Sequence, residues 1–102
     1  MQGHVDCTAK TISITKEKGS WLFKFKVKTQ NLKVKNLIIE KGSICINGVS
    51  LTVIKGQKLD FSVDIIPHTF SHTNFSSLKK GDRVNIEFDV LGKYIQKIVS
   101  NK

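Results

Sequence analysis

The dipeptide Asn47-Gly48 between two apolar segments constrains the fold of this chain more than any other feature. Asn-Gly is the pair that a two-residue β-hairpin prefers, because both central residues of its turn take positive φ angles. Alternation along the segment that follows places Ser50 and Thr52 on one strand face, with the hydrophobic residues on the other. The sequence therefore predicts a hairpin over 43–54, whose two neighbouring hydroxyls suit a flat polar ligand.

Alternating segments elsewhere in the chain predict further short strands. The clearest is 21–28, where Trp21 and Phe23 begin an aromatic inner face and three lysines lie on the outer face. Weaker alternation predicts strands at 8–15, with Ile12 and Ile14 on one face, at 59–66 and at 84–89. Breaks in the pattern predict turns at 19–20, 55–58 and 79–82, and a short helix or turn at 68–74. Short strands at such intervals favour an all-β fold, a small six-stranded Greek-key barrel.

The last segment changes period from two to that of a helix. Five apolar residues follow one another at i, i+3, i+4, i+7 and i+8, which makes one stripe: Leu91, Tyr94, Ile95, Ile98 and Val99. A helix of about ten residues is marginal by itself, so the stripe needs a surface to pack on. The sequence predicts a short C-terminal helix that covers an end of the barrel or meets copies of itself. The segment 31–40 suits either a helical turn or an irregular crossover.

Length and charge limit the classes of function. A chain of 102 residues has room for one small domain. The net charge of +9 comes from lysine, with Arg83 the one arginine, whereas readers of nucleic-acid sequence lean on arginine. We therefore expect a solvated basic surface with a weak attraction for anionic partners, and no nucleic acid. No apolar run approaches the about 20 residues of a membrane span, and the start lacks the pattern of a signal peptide, which favours the cytoplasm and no membrane partner.

The cysteines and histidines do not predict a metal site. Cys7 and Cys45 match no metal-binding spacing, and Cys45 within an apolar strand reads as an inert buried thiol. His68 and His72 have the i, i+4 spacing of zinc ligands on a helix, but a third ligand is not evident nearby. We expect no metal and no cofactor.

Three further motifs accompany the hairpin: Gly3-His-Val-Asp6, then Ile65-Ile-Pro-His-Thr69 with Thr73, then Gly81-Asp-Arg-Val-Asn85 with Glu87, Asp89 and Lys93-Tyr94. Their order and spacing resemble riboflavin synthase (alpha subunit), specifically its C-terminal lumazine-binding barrel. The resemblance implies a single lumazine-binding domain over 1–102, with the barrel at about 3–89 and the terminal helix at about 90–100. The family's enzyme carries two such barrels in tandem. Here the hairpin motif occurs once, and the first strand of the barrel begins almost directly after Met1. This suggests a cut from a longer chain, either by engineering or by natural shortening of the gene.

The resemblance also implies a reaction. The family dismutates two molecules of 6,7-dimethyl-8-ribityllumazine: a four-carbon unit moves from one to the other, which yields riboflavin and a ribitylamino-uracil without a metal or redox cofactor. Opposed stacking of the two heterocycles supplies much of the rate through positioning. Family members form trimers through their terminal helices, so the resemblance favours a homo-oligomer or pairing with an N-terminal barrel.

Carried over position by position, the resemblance implies a set of site residues. The catalytic positions are His4, Ser50 and Asp89, of which Asp89 would orient a proton-transferring group. The substrate-binding positions are Gly3, His4, Val5, Lys41, Ser50, Leu51, Thr52, Ile65, Ile66, Pro67, His68, Thr69 and Phe70. The hydroxyls would meet the pyrimidine edge, and 65–69 would offer main-chain groups. Without the resemblance, the hydroxyls read as an ordinary polar strand face and His4 as a solvent-exposed side chain.

Two other functions remain open from the sequence. One is a flavin- or lumazine-binding protein without catalysis, as the lumazine proteins of luminous bacteria are. The other is a basic barrel of the OB type, which binds single-stranded nucleic acid through aromatics and a charged groove. The nucleic-acid-binding alternative predicts steeply salt-dependent binding of oligonucleotides and no binding of flavins.

Overall fold

Six antiparallel strands form a closed barrel. The computed structural model describes residues 5–29, residue 38 and residues 41–88. Its elements are β1 (Cys7–Glu17), β2 (Ser20–Lys28), β3 (Ser43–Ile46), β4 (Val49–Gln57), β5 (Asp60–Ile65), α1 (Pro67–His72), a 3-10 turn (Asn74–Ser77) and β6 (Arg83–Phe88). The strand order is β1-β2-β5-β4-β3-β6, and β6 returns to pair with β1. The predicted six-stranded all-β barrel is thus confirmed, whereas the predicted helix at about 90–100 lies outside the described residues.

The interior follows from the alternation in each strand. Phe23, Phe25 and Val27 of β2 are buried, and the lysines between them are exposed, as the sequence predicted. The same period in the other strands completes a single core: Ala9, Ile44, Ile46, Val53, Phe61, Val63, Ile65, Val84, Ile86 and Phe88, with Ile38 and Phe75 from outside the strands. Because one face of every strand is committed to this core, the outer faces alone are left for a ligand.

The Asn47-Gly48 turn has the predicted geometry. Both residues have positive φ, 50° and 84°, and the flanking Ile46 and Val49 are paired. The Asn47 side chain also reaches β6, where its Oδ1 accepts a hydrogen bond from the amide of Asn85 at 2.7 Å. The turn is therefore held to the neighbouring strand as well as to its own hairpin.

A β-bulge in β1 corrects one prediction. Thr11 lies opposite Phe25 and Ser13 opposite Lys24, so Ile12 is an extra residue in this strand. The predicted common face of Ile12 and Ile14 is wrong, because the bulge breaks the alternation between them. Ile12 is 39% exposed, and Ile14 packs against the core.

A second bulge and a longer strand correct another prediction, that of a turn at 55–58. The predicted turn at 55–58 is wrong: β4 continues to Gln57, paired with β5, and the turn follows at Lys58, whose φ is 58°. The bulge lies between Val53 and Lys55, which face Val63 and Ser62. Ile54 is therefore the extra residue of β4.

Helix α1 is a single short element fixed to the barrel by an aromatic stack. Pro67 occupies its first turn, where a missing N–H costs no hydrogen bond. The rings of Phe70 and Trp21 stack with centroids 4.3 Å apart and planes within 5°. Thr73 then ends the helix by donating from Oγ1 to the carbonyl of Thr69 at 2.6 Å. In the described part of the chain, no helix is long and apolar enough to cross a membrane.

Candidate functional site: a groove where two strands separate

A groove opens on the outer surface where the pairing of β4 with β5 ends. The last pair in their register is Val53 opposite Val63, although β4 begins at Val49 and β5 continues to Ile65. Beyond it, β5 pairs with β2 on its other side, and β4 with β3. The groove encloses about 360 Å³ between the diverging strands and α1. A sheet that ends its ladder in this way presents strand edges to whatever fills the gap.

The lining combines hydroxyls, one carboxylate and apolar walls. It consists of Ser50, Leu51, Thr52, Ile54, Asp64, Ile66 and Thr69. Continuing the register by one residue from Val53 and Val63 brings Thr52 and Asp64 opposite one another across the groove. Hydroxyls donate and accept hydrogen bonds, and a carboxylate accepts them, so this set can orient a ligand with both kinds of polar edge. The exposed Ile54 and Ile66 supply apolar surface for the faces of a flat ring.

The structure brings together five of the residues that the sequence proposed for substrate binding. Ser50, Leu51 and Thr52 come from β4, and Ile66 and Thr69 from the start of α1. The predicted placement of Ser50 and Thr52 on the outer face is confirmed, since both are exposed while Val53 is buried. Segments 50–52 and 66–69 are separated in sequence, and the antiparallel pairing of β4 with β5 makes them neighbours.

Sequence reasoning missed two residues of the groove, Ile54 and Asp64. Alternation could have found Asp64, because it follows Ser62 on the outer face of β5. The same alternation places Ile54 on the outer face with Ser50 and Thr52, and the bulge then adds Lys55 to that face, so that both are exposed.

The carbonyls of the 66–69 segment already have donors. The carbonyl of Ile66 accepts from the amide of Phe70 at 2.9 Å, that of Pro67 from Ser71 Oγ at 2.9 Å and that of Thr69 from Thr73. The first amides of a helix, in contrast, have no partner within it, and the cap residue Ile66 makes no side-chain capping bond. Main-chain groups that this segment offers to a ligand are therefore N–H donors.

Six other proposed residues that the structure describes lie outside the groove lining: Val5, Lys41, Ile65, Pro67, His68 and Phe70. Ile65 is wholly buried and paired with Trp21, and the Phe70 ring lies against Trp21. Lys41 is exposed, and its amide donates to the carbonyl of Val53 at 2.6 Å. Val5 is 51% exposed just before β1, and two strands separate β1 from β4 on either side of the barrel. The proposed Gly3, His4 and Asp89 lie outside the described residues, so Ser50 alone among the catalytic positions is placed.

The two histidines of α1 interact with each other. The rings of His68 and His72 stack with centroids 4.1 Å apart, and His72 Nδ1 donates to the carbonyl of His68 at 2.8 Å. Pro67 and His68 are exposed beside the groove. Among residues 5–29, 38 and 41–88, no three His, Cys, Asp or Glu side chains come together as metal ligands.

Neither cysteine is an activated thiolate. Burial raises the pKa of Cys7 to about 11, and the carboxylate of Asp6 adds to the effect. Burial also raises the pKa of Cys45, with a further contribution from Glu87, its neighbour on β6. Thiols with raised pKa values are poor nucleophiles at neutral pH, so both side chains serve the packing.

Comparison with known proteins identifies the family of this barrel. The profile of the lumazine binding domain matches residues 2–89, which is most of the chain. The chain belongs to the lumazine binding domain family. The riboflavin synthase of Actinobacillus pleuropneumoniae is 42% identical over 102 residues, all of this chain and 46% of that protein. The riboflavin synthase of Saccharomyces cerevisiae is 42% identical over 101 residues, 95% of this chain and 42% of that protein.

Two solved structures share the fold of this lumazine-binding domain. LumP complexed with flavin mononucleotide matches with a TM-score of 0.77 at 24% identity, over 87% of this chain and 49% of that one. LumP complexed with 6,7-dimethyl-8-(1'-D-ribityl) lumazine matches with a TM-score of 0.72 at 22% identity, over 87% and 48%. The domain thus spans about half the length of the relatives that it matches.

Proposed function

We propose that this chain is the lumazine-binding C-terminal barrel of a riboflavin synthase, which binds 6,7-dimethyl-8-ribityllumazine and the product riboflavin. One observation carries the proposal: five positions assigned to substrate from motif resemblance meet in one groove, at the point where β4 and β5 separate. The kinship with riboflavin synthases over nearly the whole chain supports it.

The groove offers a complementary group for each part of a lumazine. The apolar side chains of Ile54 and Ile66 would contact the ring faces, and Leu51, which packs against the core, would complete the wall of the groove. The hydroxyls of Ser50 and Thr52 would bind the polar pyrimidine edge, which carries both donors and acceptors. Asp64 would accept from the ribityl hydroxyls, and the amides at the start of α1 would donate to ring or ribityl oxygens.

The reaction that we propose is the dismutation of two lumazines. One molecule gives up a four-carbon unit and the other receives it, so donor and acceptor are the same compound and no outside oxidant or reductant is required. A barrel holds one lumazine, so turnover needs a second barrel with its ligand facing this one. Fixing both rings converts a bimolecular encounter into a reaction within a complex, which is where most of the acceleration arises. Ser50 and His4 would transfer protons as the bonds rearrange, and Asp89 would orient a group that does so.

The second barrel would come from an N-terminal domain or from another copy of the chain in the cytoplasm. The apolar stripe predicted at about 90–100 is the surface through which we propose a homotrimer assembles. Sedimentation velocity tests the assembly, and a monomer at micromolar concentration would refute it. Riboflavin formation is then assayed with and without an added N-terminal barrel.

Riboflavin fluorescence tests the groove itself. Titration of the protein into riboflavin should quench the fluorescence, and Thr52→Val should weaken binding by about fivefold, the equivalent of one hydrogen bond of about 1 kcal/mol. The exposed Thr15, on β1 and away from the groove, gives a matched control. Thr15→Val makes the same chemical change and should leave the affinity as it is. Equal affinities for Thr52→Val and the unaltered protein would remove Thr52 from the site, and no quenching at all would refute the proposed function.

A further inference from the structure

A second groove opens beside the first on the same strands. It encloses about 470 Å³ and is lined by Lys24, Lys55, Gly56, Gln57, Asp60, Phe61 and Ser62. The two grooves share β4 and β5 and lie on either side of the bulge at Ile54. The candidate ligand groove lies where β4 and β5 part, and this second one, the lysine groove, lies where they are paired.

A row of three side chains across adjacent strands defines the chemistry of the lysine groove. Ser62 of β5 is paired with Lys24 of β2 on one side and with Lys55 of β4 on the other. Neighbouring strands lie about 4.8 Å apart, so the side chains of both lysines emerge directly beside Ser62. Both lysines are exposed, but Ser62 is only 5% exposed although it alternates with the inward Phe61 and Val63. The row forms a recess with a hydroxyl at its base and a cation on each side.

The one carboxylate in the lysine groove has its own cation. Asp60 is paired with Lys26 of β2, and Lys26 in turn faces Lys10 of β1. Arg83 of β6 lies opposite Lys10, which continues the basic row around the barrel. Like charges in facing positions destabilise a sheet, and an anion bound over them would relieve that repulsion. The cations in and beside the lysine groove outnumber Asp60, so the surface around Ser62 carries a net positive charge.

The two grooves have opposite charge and lie within reach of one ligand. Asp64, in the candidate ligand groove, is two residues from Ser62 along β5, a distance of about 7 Å at the usual strand rise. A five-carbon ribityl chain, with bonds of about 1.5 Å, spans a comparable length. A negative group at the end of that chain would be repelled by Asp64 and attracted by the lysines.

We infer that the lysine groove binds the phosphate of a 5'-phosphorylated flavin or lumazine whose ring lies in the candidate ligand groove. This inference rests on the proposed function and adds a phosphate subsite to it. A phosphate monoester carries a charge of about −1.5 to −2 at pH 7 and three acceptor oxygens. The two ammonium groups and the Ser62 hydroxyl provide donors for these oxygens, and lysine binds phosphate as a point charge.

The test compares riboflavin with flavin mononucleotide, which differ by one phosphate. We expect flavin mononucleotide to bind about tenfold more tightly than riboflavin at low salt. Most of this difference should be lost near 1 M salt, where the Debye length falls to about 3 Å. The double variant Lys24→Gln with Lys55→Gln should bind both ligands with the affinity of the unaltered protein for riboflavin. Inorganic phosphate should compete with flavin mononucleotide and not with riboflavin.

A charge-matched control separates the groove from the general basicity of the chain. Lys80 is exposed in the turn before β6, and β6 does not adjoin β4 or β5. Lys80→Gln should keep the tenfold preference. A preference that survives in the double variant, or that Lys80→Gln also removes, would overturn the phosphate subsite. Equal affinity for riboflavin and flavin mononucleotide would also overturn the phosphate subsite, but it would be consistent with binding in the candidate ligand groove. If neither ligand binds, the proposed function is refuted as well.

Discussion

The stack of Phe70 on Trp21 should decide both the stability of the barrel and the position of α1. Phe70 is half-buried, and its ring lies 4.3 Å from that of Trp21, nearly parallel. Replacing a fully buried phenylalanine with alanine costs about 4 kcal/mol, so the half-buried ring is worth about 2 kcal/mol. The stack adds about 1 kcal/mol. Phe70→Ala should therefore lower the free energy of unfolding by about 3 kcal/mol.

Phe70→Leu separates the two contributions. Leucine retains most of the apolar contact but cannot stack, so we expect a loss of about 1 kcal/mol. For a domain of this size, 1 kcal/mol corresponds to about 4–8 °C in the melting temperature. Circular dichroism during heating, together with urea unfolding at 25 °C, measures both variants.

The same substitution reports on the groove. Because α1 carries Thr69 and Ile66, a helix that loses its anchor should hold these groove residues less firmly. We expect Phe70→Leu to weaken riboflavin binding severalfold at a temperature where it is fully folded. A melting temperature for Phe70→Leu equal to that of the unaltered protein would refute the energetic reasoning. Unchanged affinity in a destabilised Phe70→Leu would show that the groove does not depend on the stack.

Two further predictions concern packing and pH. A Cβ added at Gly56 would lie 2.9 Å from Ile38 Cγ2, so Gly56→Ala should lower the free energy of unfolding by about 1–3 kcal/mol in urea. Ile38→Leu removes that methyl group and should recover part of the loss when combined with Gly56→Ala. If the losses of the two single variants simply add in the double variant, the contact is contradicted. Cys7 has a pKa of about 11 in the folded protein against an ordinary 9.0, so its contribution to stability is complete below pH 9 and is lost as the pH rises to 11. The urea midpoint should fall between pH 9 and pH 11, and it should fall less in Cys7→Ala. If Cys7 and Cys45 in the folded protein are alkylated at pH 8 as fast as in urea, their burial is contradicted.

The sequence predicted those parts of the fold that local geometry determines. The Asn47-Gly48 turn and the alternation from Phe23 to Lys28 act within a few residues, and both were confirmed. The groove hydroxyls at Ser50 and Thr52 followed from the same period of two.

The parts that the sequence did not predict depend on pairing between distant strands. The bulges at Ile12 and Ile54 exist because facing strands accept an extra residue, and neither residue differs in type from its regular neighbours. The segment at Lys55 reads as a turn because it is polar and contains Gly56. Pairing with β5 nevertheless extends it as strand to Gln57. The lysine groove likewise depends on the register of β2, β5 and β4, which no single segment encodes.

The extra residue at Ile54 gives β4 two independent halves. On the near side the outward positions are Ser50 and Thr52, and on the far side the outward sequence restarts at Lys55. Removing Ile54 would place Lys55 directly after Val53 and restore a regular ladder, in which Ser50, Thr52 and Lys55 stay outward and Val53 and Gly56 stay on the inner face. Substitutions can therefore retune each half separately, and deletion of Ile54 should straighten β4 between the candidate ligand groove and the lysine groove while the core behind them keeps its residues.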